Sequence, residues 1–365
     1  MTSPRIAVIV TCFNLGKYLS ETLASLRAQT CQDFELLVID DGSTDPETLE
    51  VLAGLPADVR VIRTENRGLS AARNAGVANS LAPYICAVDA DDILLPQLLE
   101  KSVARLEADP SVAFVSHWLE AFGDESWQWT PTDCGLPALL AANTVNGAAL
   151  VRRTAVAAVG GWDETMRSGL EDWDLWITLV ERGYRGAIIP EILFRYRRRA
   201  DSMSRVHFAG DRHSALYRRL ADKHAETFRA HIVDLVTWKE ADLASVGARA
   251  DDLDWRLEHE LLPAEARARE DAADATRRLE KWNAQVELER LSAHAQTQSE
   301  RASKAETELT AHVAELQRTR VHAAALDTER QNVAREAAAL RGSISWRLTR
   351  PLRAIGSLFL RNRAS

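Results

Sequence analysis

Ile6-Ala7-Val8-Ile9-Val10 is a run of five apolar residues with no polar position between them. A strand with one wet face alternates, so a continuous run of strand length predicts a strand covered on both faces. Tyr18 to Gln29 then carries Leu19, Leu23 and Leu26 at spacings of four and three, one helix face. Phe34 to Ile39 is a second buried strand, ending in Asp40-Asp41-Gly42-Ser43. Val59 to Arg63 and Tyr84 to Val88 read as two more, with a helix from Leu69 to Asn79 between them. This alternation predicts a parallel sheet with helices on both faces, and in such sheets ligands bind at the carboxyl ends of the strands. The aspartates lie there. Further strands are expected over Ala113 to Trp118, Ala148 to Arg152 and Ala187 to Tyr196. Helices are expected within Gly169 to Gly183 and over Ser214 to Trp238, the latter packing through Leu216, Leu220, Phe228, Ile232 and Leu235.

A net charge of -8 argues against nucleic acid as the main partner, because phosphate binding needs a basic field. The four cysteines, Cys12, Cys31, Cys86 and Cys134, stand far apart without a C-x-x-C pair, which points away from disulfides and zinc and towards a reducing compartment. No secretory pattern opens the chain, and no apolar stretch reaches the roughly 18 residues of a spanning helix. The richest, Leu136 to Val151, is interrupted by Pro137, Asn143, Asn146 and Gly147. A cytoplasmic protein, or one lying on the cytoplasmic membrane face, is expected.

Composition shifts near Lys239. Residues 1–238 are expected to form the globular domain, 239–262 a helical linker, and 263–341 an alanine-rich coiled coil. That last segment has no glycine, and Pro263 suits a first helical position. One seam runs through Leu291, Ala295, Gln298, Ala302, Ala305 and Leu309, another through Leu326, Arg330, Val333, Ala337 and Leu340. Self-association is the favoured reading; a solvated helix, or one folded back on the globular domain, is the alternative. Residues 342–365 interleave Trp346, Leu348, Leu352 and Ile355 with Arg347, Arg350 and Arg353, and no acidic residue follows Glu336. Such a tail is expected to lie on a membrane surface; the alternative is docking in a partner's acidic groove.

The chemistry concentrates in Val88-Asp89-Ala90-Asp91-Asp92, at the end of a buried strand. Three carboxylates within four residues repel one another unless a cation neutralises them. Mg²⁺ and Mn²⁺ favour carboxylate oxygens and are commonly completed by water and substrate phosphates. A metal-diphosphate site is one reading, and a helix-capping Asp turn is the other.

This cluster belongs to a series of five blocks that resembles the family-2 glycosyltransferases over roughly Arg5 to Arg205. The others are Val8-Ile9-Val10-Thr11-Cys12-Phe13-Asn14 with Leu19; Asp40-Asp41-Gly42-Ser43-Thr44-Asp45; Asn66-Arg67-Gly68-Leu69-Ser70-Ala71-Ala72-Arg73-Asn74; and Gly160-Gly161-Trp162-Asp163-Glu164 with Glu171-Asp172-Trp173-Asp174-Leu175. The resemblance implies a GT-A fold, a mixed, mainly parallel α/β sheet flanked by helices. It also implies an inverting, metal-dependent transfer of sugar from a nucleotide-diphosphate donor to an acceptor hydroxyl.

The resemblance further implies roles. Thr11, Asp40 and Asp41 would contact the donor's base and ribose, although Asp-Gly also simply makes a tight turn. Arg73 would lie near the base or diphosphate, and Asp89 near the ribose or sugar. Asp91, with Asp92 assisting, would hold Mn²⁺ or Mg²⁺ as a Lewis acid against the departing diphosphate. Asp172 would be the general base. Glu171 and Asp174 can equally complement a helix dipole, and Trp162 and Trp173 either stack on acceptor sugars or pack in the core.

Two departures qualify the match. Many relatives close this domain with Tyr-Arg-x-His, but here the stretch is Tyr196-Arg197-Arg198-Arg199. Arginine cannot ligate a metal, though it clamps phosphate oxygens, so weaker metal affinity is expected. The Gln-x-x-Arg-Trp motif of processive members is missing after Asp172, so addition of one or a few sugars is expected. The implied acceptor is a surface polysaccharide or a lipid-linked glycan. The rival reading is a coiled-coil scaffold with a degenerate sugar-nucleotide domain, against which the intact Asp91 and Asp172 argue.

Overall fold

The computed structural model describes residues 3–202, 211–293 and 299–342. The basic tail beyond Gly342 lies outside the described residues, as do the side chains of most of the first seam, from 289 to 305. The chain divides into two compact units, Met1–Trp238 and Lys239–Ser365.

The first unit is built on one sheet of nine strands: β1 (Ile6–Cys12), β2 (Phe34–Asp40), β3 (Arg60–Arg63), β4 (Tyr84–Asp89), β5 (Ile93–Leu94), β6 (Val112–Gly123), β7 (Trp127–Trp129), β8 (Leu150–Arg152) and β9 (Arg185–Arg198). Their order is β3-β2-β1-β4-β8-β6-β9-β5, with β7 paired to β6. β3, β2, β1 and β4 run parallel, β8 is antiparallel to both β4 and β6, and β9 runs parallel to β6. The sheet is therefore mixed, with a parallel half that gathers the ends of β1, β2 and β4 along one edge.

Every residue of β1 is buried, as the unbroken apolar run requires. Ala7 and Ile9 join one core cluster with Leu37, Ile39 and Ala87, while Ile6, Val8 and Val10 join a second with Val38 and Val88. Alternate residues thus fill two cores on opposite faces. Each valine, leucine or isoleucine among them contributes roughly 1.5–3 kcal/mol over its exposed state.

The helices of this unit are α1 (Gly16–Arg27), α2 (Pro46–Ala53), α3 (Leu69–Ala78), α4 (Leu98–Ala108), α5 (Ala138–Ala141), α6 (Arg153–Val159), α7 (Glu171–Glu181), α8 (Asp211–Lys223) and α9 (Ala225–Ala230). α3 lies directly on β1: a Cβ added at Gly76 would fall 2.4 Å from Ile9 Cγ2. Only glycine allows that approach, which fixes the helix carrying Arg73.

The single helix expected over Ser214 to Trp238 is broken. His224 and His231 leave helical geometry between α8, α9 and the next helix, α10 (Ile232–Arg256). Each break resets the phase, so Leu220, Phe228 and Leu235 are buried while Ile232 is 51% exposed, against the expected packing face.

The second unit continues α10 through a π-helical turn, Leu257–Leu261, into α11 (Leu262–Ala293), followed by α12 (Ser299–Gly342). Pro263 does not begin a helix. It sits one residue after a turn in which the Leu262 N–H reaches back to the Leu257 carbonyl. A proline inside an α-helix loses a hydrogen bond and its ring strikes the preceding turn; the wider π turn makes the room.

α11 and α12 run antiparallel. Glu265 Oε2 lies 3.1 Å from Arg330 Nε, Arg278 Nη2 is 3.9 Å from Glu315, and the rings of Trp282 and His312 stand 5.9 Å apart. Val333 and Ala337, assigned by sequence to a self-association seam, are buried against Leu253 and Leu261 of the same chain. A helix folded back within one chain satisfies a weak apolar seam without the entropy loss of association.

His117, on β6, is fully buried, and burial pushes its imidazole down to about 4, outweighing the carbonyl contacts at Trp118 and Ala148. Its folded value lies below the unfolded one, so the native state binds fewer protons between them. Stability present at neutral pH is therefore lost as pH falls from about 6.5 to about 4, by about 3 kcal/mol for this group. Denaturant unfolding of His117→Leu should show a shallower loss across that window than the unaltered protein. Matching slopes would remove His117 as the cause.

Candidate active site

The carboxyl ends of β1, β2 and β4 deliver Thr11, Asp40 and Asp89 to one edge. Asp91 and Asp92 follow in the turn before β5. The Thr11 hydroxyl donates to Asp89 Oδ1 at 2.9 Å. Across from them, Gly169 (φ 110°) and Leu170 (φ 66°) turn the chain into α7. A positive φ is uncommon for leucine. Here the Leu170 side chain is buried in the core, and Glu171 and Asp172 emerge in the helix's first turn.

Arg73 joins the two sides. Its Nη1 is 2.6 Å from Glu171 Oε1 and its Nη2 is 3.3 Å from Asp89 Oδ1. A Cβ added at Gly147 would lie 3.4 Å from Asp172 Oδ2 and 3.7 Å from Arg73 Nη2, so these two groups flank one point. Burial works against the Arg73 charge, but Asp89, Glu171 and Asp172 more than offset it and hold the guanidinium protonated. Burial pushes Glu171 up to about 7, with Arg73 opposing. Burial also raises Asp172, again against Arg73 and against hydrogen bonds from the Trp173 N–H and Asn143. Asp172 Oδ2 accepts from Asn143 Nδ2 at 3.2 Å. Asn143 was noticed in the sequence only as an interruption of an apolar stretch; nothing local tied it to Asp172.

Asp91 and Asp92 are buried, and burial raises both, reinforced by the like charges around them. Asp91 Oδ2 pairs with Arg199 Nε at 2.9 Å, and Asp92 Oδ1 accepts from the Arg197 backbone N–H at 2.8 Å. Arg197 Nε in turn donates to the Asp91 carbonyl at 2.7 Å. Among the described residues no group of three or more His, Cys, Asp and Glu side chains is placed to hold a metal ion by itself. Asp91 offers one carboxylate at the edge where a diphosphate would lie. One carboxylate completed by phosphate oxygens and water is a common way to hold Mg²⁺ or Mn²⁺, and the residues fit that arrangement.

Other candidate residues have structural partners. Asp40 Oδ1 accepts from the Ser43 N–H at 2.8 Å, and Asp41 accepts from the Arg67 and Gly68 N–H groups, both at 2.9 Å. Both carboxylates are buried and shape the turn and the entry to α3, a role that can stand together with the expected base contact. Gly42 (φ +74°) is forced by the same loop, because a Cβ there would meet the Asn66 nitrogen at 2.7 Å. Trp162 and Trp173 are 2% and 4% exposed, so neither offers an open face for sugar stacking. Trp173 Nε1 donates to the Leu139 carbonyl at 2.6 Å, and the Trp162 backbone is clamped by Asn74. Asp174 ties α7 to α8 through Lys223 at 2.8 Å and His224 at 3.0 Å, a structural role.

A mixed sheet with an aspartate turn at its edge, facing a carboxylate-bearing helix start, is the arrangement of a GT-A fold. Residues 7–161 match the model Glycosyl transferase family 2. The chain is 29% identical over 218 residues to the predicted glycosyltransferase EpsE of Bacillus subtilis (strain 168), covering 57% of this chain and 78% of that one. An uncharacterized glycosyltransferase of Haemophilus influenzae is 28% identical over 185 residues, covering 48% of this chain and 62% of its own length. The mannosyltransferase PcManGT from Pyrobaculum calidifontis, solved with GDP-Man and Mn²⁺, superposes with a TM-score of 0.51 at 20% identity, over 76% of this chain and 81% of that one. At that identity the likeness speaks for the fold.

Proposed function

We propose that the first unit transfers a sugar from a nucleotide-diphosphate donor to an acceptor hydroxyl with inversion at the anomeric carbon. The observation that carries this reading is the Arg73 bridge, 3.3 Å from Asp89 and 2.6 Å from Glu171, which gathers donor-side Asp89 and the α7 carboxylates into one cluster. Asp172, raised by burial and fixed by Asn143, takes the proton of the acceptor hydroxyl as that oxygen attacks. Thr11 and Asp89 receive the ribose or sugar. Asp91, assisted by Asp92, would hold a divalent cation, which when bound supplies Lewis-acid stabilisation to the departing diphosphate. The GDP-Man and Mn²⁺ complex of the mannosyltransferase sharing this fold supports a donor of that class.

The wider setting rests on sequence. The basic tail supports a position on the cytoplasmic membrane face, and the missing Gln-x-x-Arg-Trp motif supports addition of one or a few sugars to a surface polysaccharide or lipid-linked glycan. Among the described residues no helix is long and apolar enough to cross a membrane. Self-association would have to use a face other than the Val333 and Ala337 seam.

Calorimetric titration of the full chain with UDP, GDP and dTDP, with and without Mn²⁺, tests the donor reading. One nucleotide should bind, more tightly with metal, and Asp91→Ala should abolish the metal's contribution. A folded protein that binds none of the three would overturn the transferase reading.

A further inference from the structure

Arg199 comes from the residue following β9, far in sequence from the aspartate turn, yet it makes the ion pair with Asp91. Its Nε is 2.9 Å from Asp91 Oδ2 and its Nη1 is 2.7 Å from Asp201 Oδ1. The guanidinium carbon lies 5.3 Å from the centre of the Tyr18 ring, and the backbone N–H is held by Ser202 Oγ at 3.0 Å. The Arg199 side chain is 15% exposed and that of Asp91 is 11%. This is a placed cation, packed against an aromatic ring, on the one carboxylate that a divalent ion would need.

We propose that Arg199 is a resident counter-ion that competes with the divalent cation for Asp91 and passes to the diphosphate when the donor binds. The inference rests on the transferase reading for its second half and on the ion pair alone for its first. Two cations cannot share Asp91 without repelling each other, and that repulsion is strong away from bulk water. In the nucleotide-free protein Arg199 therefore keeps metal affinity low. A nucleoside diphosphate brings negative oxygens that suit a planar guanidinium better than a single carboxylate oxygen does. Arg199 then releases Asp91, so metal and diphosphate each favour the binding of the other. A histidine at this position would act differently, since neutral imidazole is a ligand and not a rival.

Mn²⁺ titration of the nucleotide-free full chain, followed by electron paramagnetic resonance, tests the first half with Arg199→Gln and Arg199→Lys. Arg199→Gln should bind Mn²⁺ about tenfold more tightly or better, because the neighbouring positive charge is gone. Arg199→Lys keeps that charge and should stay near the unaltered protein. Equal affinity in all three proteins, or weaker binding in Arg199→Gln, would overturn the competition. For the second half, calorimetry with UDP, GDP and dTDP in the presence of a chelator should show Arg199→Gln losing about tenfold in affinity for the nucleotide that binds. An unchanged affinity would overturn the transfer to diphosphate. If the unaltered protein binds none of the three, the donor reading and the second half both fall, while the Mn²⁺ titration still decides the first.

Discussion

Asp172→Asn is expected to lower kcat by about 10²–10⁴-fold, the range a general base contributes, while nucleotide affinity stays within a few-fold. The substitution is nearly isosteric. The new amide keeps one oxygen to accept from the Trp173 N–H, and Asn143 can turn its own amide to meet the other end. What disappears is a group able to take a proton. Asp172 lies beside Arg73 at the start of α7, not on the aspartate turn, so the donor should not register the change. Steady-state turnover together with calorimetric nucleotide binding separates the two quantities. Near-normal turnover would remove Asp172 from the mechanism, and a parallel collapse of nucleotide binding would recast it as a donor contact.

Arg73→Met is expected to destabilise the first unit by about 3–5 kcal/mol, the usual cost of removing one partner from a buried ion pair. The Arg73 and Glu171 side chains are only 4% and 7% exposed, so water cannot replace the lost charge. The effect should depend on pH with a defined sign. Glu171 is pushed up to about 7 when folded, above its ordinary value of 4.5, so the native state holds a proton there that the unfolded chain has released. Its contribution to stability is present below about 4.5 and is lost as pH rises through about 7. Without Arg73 that folded value rises further, and the deficit should narrow when unfolding is measured at pH 5 rather than pH 8. Arg73→Met combined with Glu171→Leu should recover part of the loss, since the buried partner at 2.6 Å is removed with the guanidinium, while Asp89 and Asp172 still lose their cation. A deficit within about 0.5 kcal/mol, the scatter of surface substitutions, would show that the bridge is not an organising element.

Much of the first unit was legible along the chain, for reasons that are local. The apolar run of β1, the Leu19, Leu23 and Leu26 stripe of α1, and the abrupt aspartate turns each express a requirement of burial or backbone geometry over a few residues. The boundary at Trp238 and Lys239 coincides with the composition shift near Lys239. The failures were also local in origin. His224 and His231 carry no strong helix-stop signal, so three helices read as one. Pro263 looked like a helix start because a π turn has no sequence signature of its own. The Val333 and Ala337 seam was read as self-association because periodicity reports that a face is buried, not against what.

The candidate site divides the same way. Sequence by itself determined which carboxylates would be present and that strand ends would carry them, because alternation and turn chemistry are properties of neighbours. The family resemblance implies that Arg199 stands where many relatives carry a histidine. Only the tertiary structure decided that Arg73 spans Asp89 and Glu171, that Arg199 pairs with Asp91, and that Asn143 holds Asp172. It also decided that Asp40 and Asp41 serve the loop and that Trp162 and Trp173 belong to the core. These pairings join residues separated by as many as 108 positions. Whether a carboxylate meets an arginine, a backbone N–H or open solvent depends on how the sheet's two halves pack, and no window of neighbouring residues contains that information.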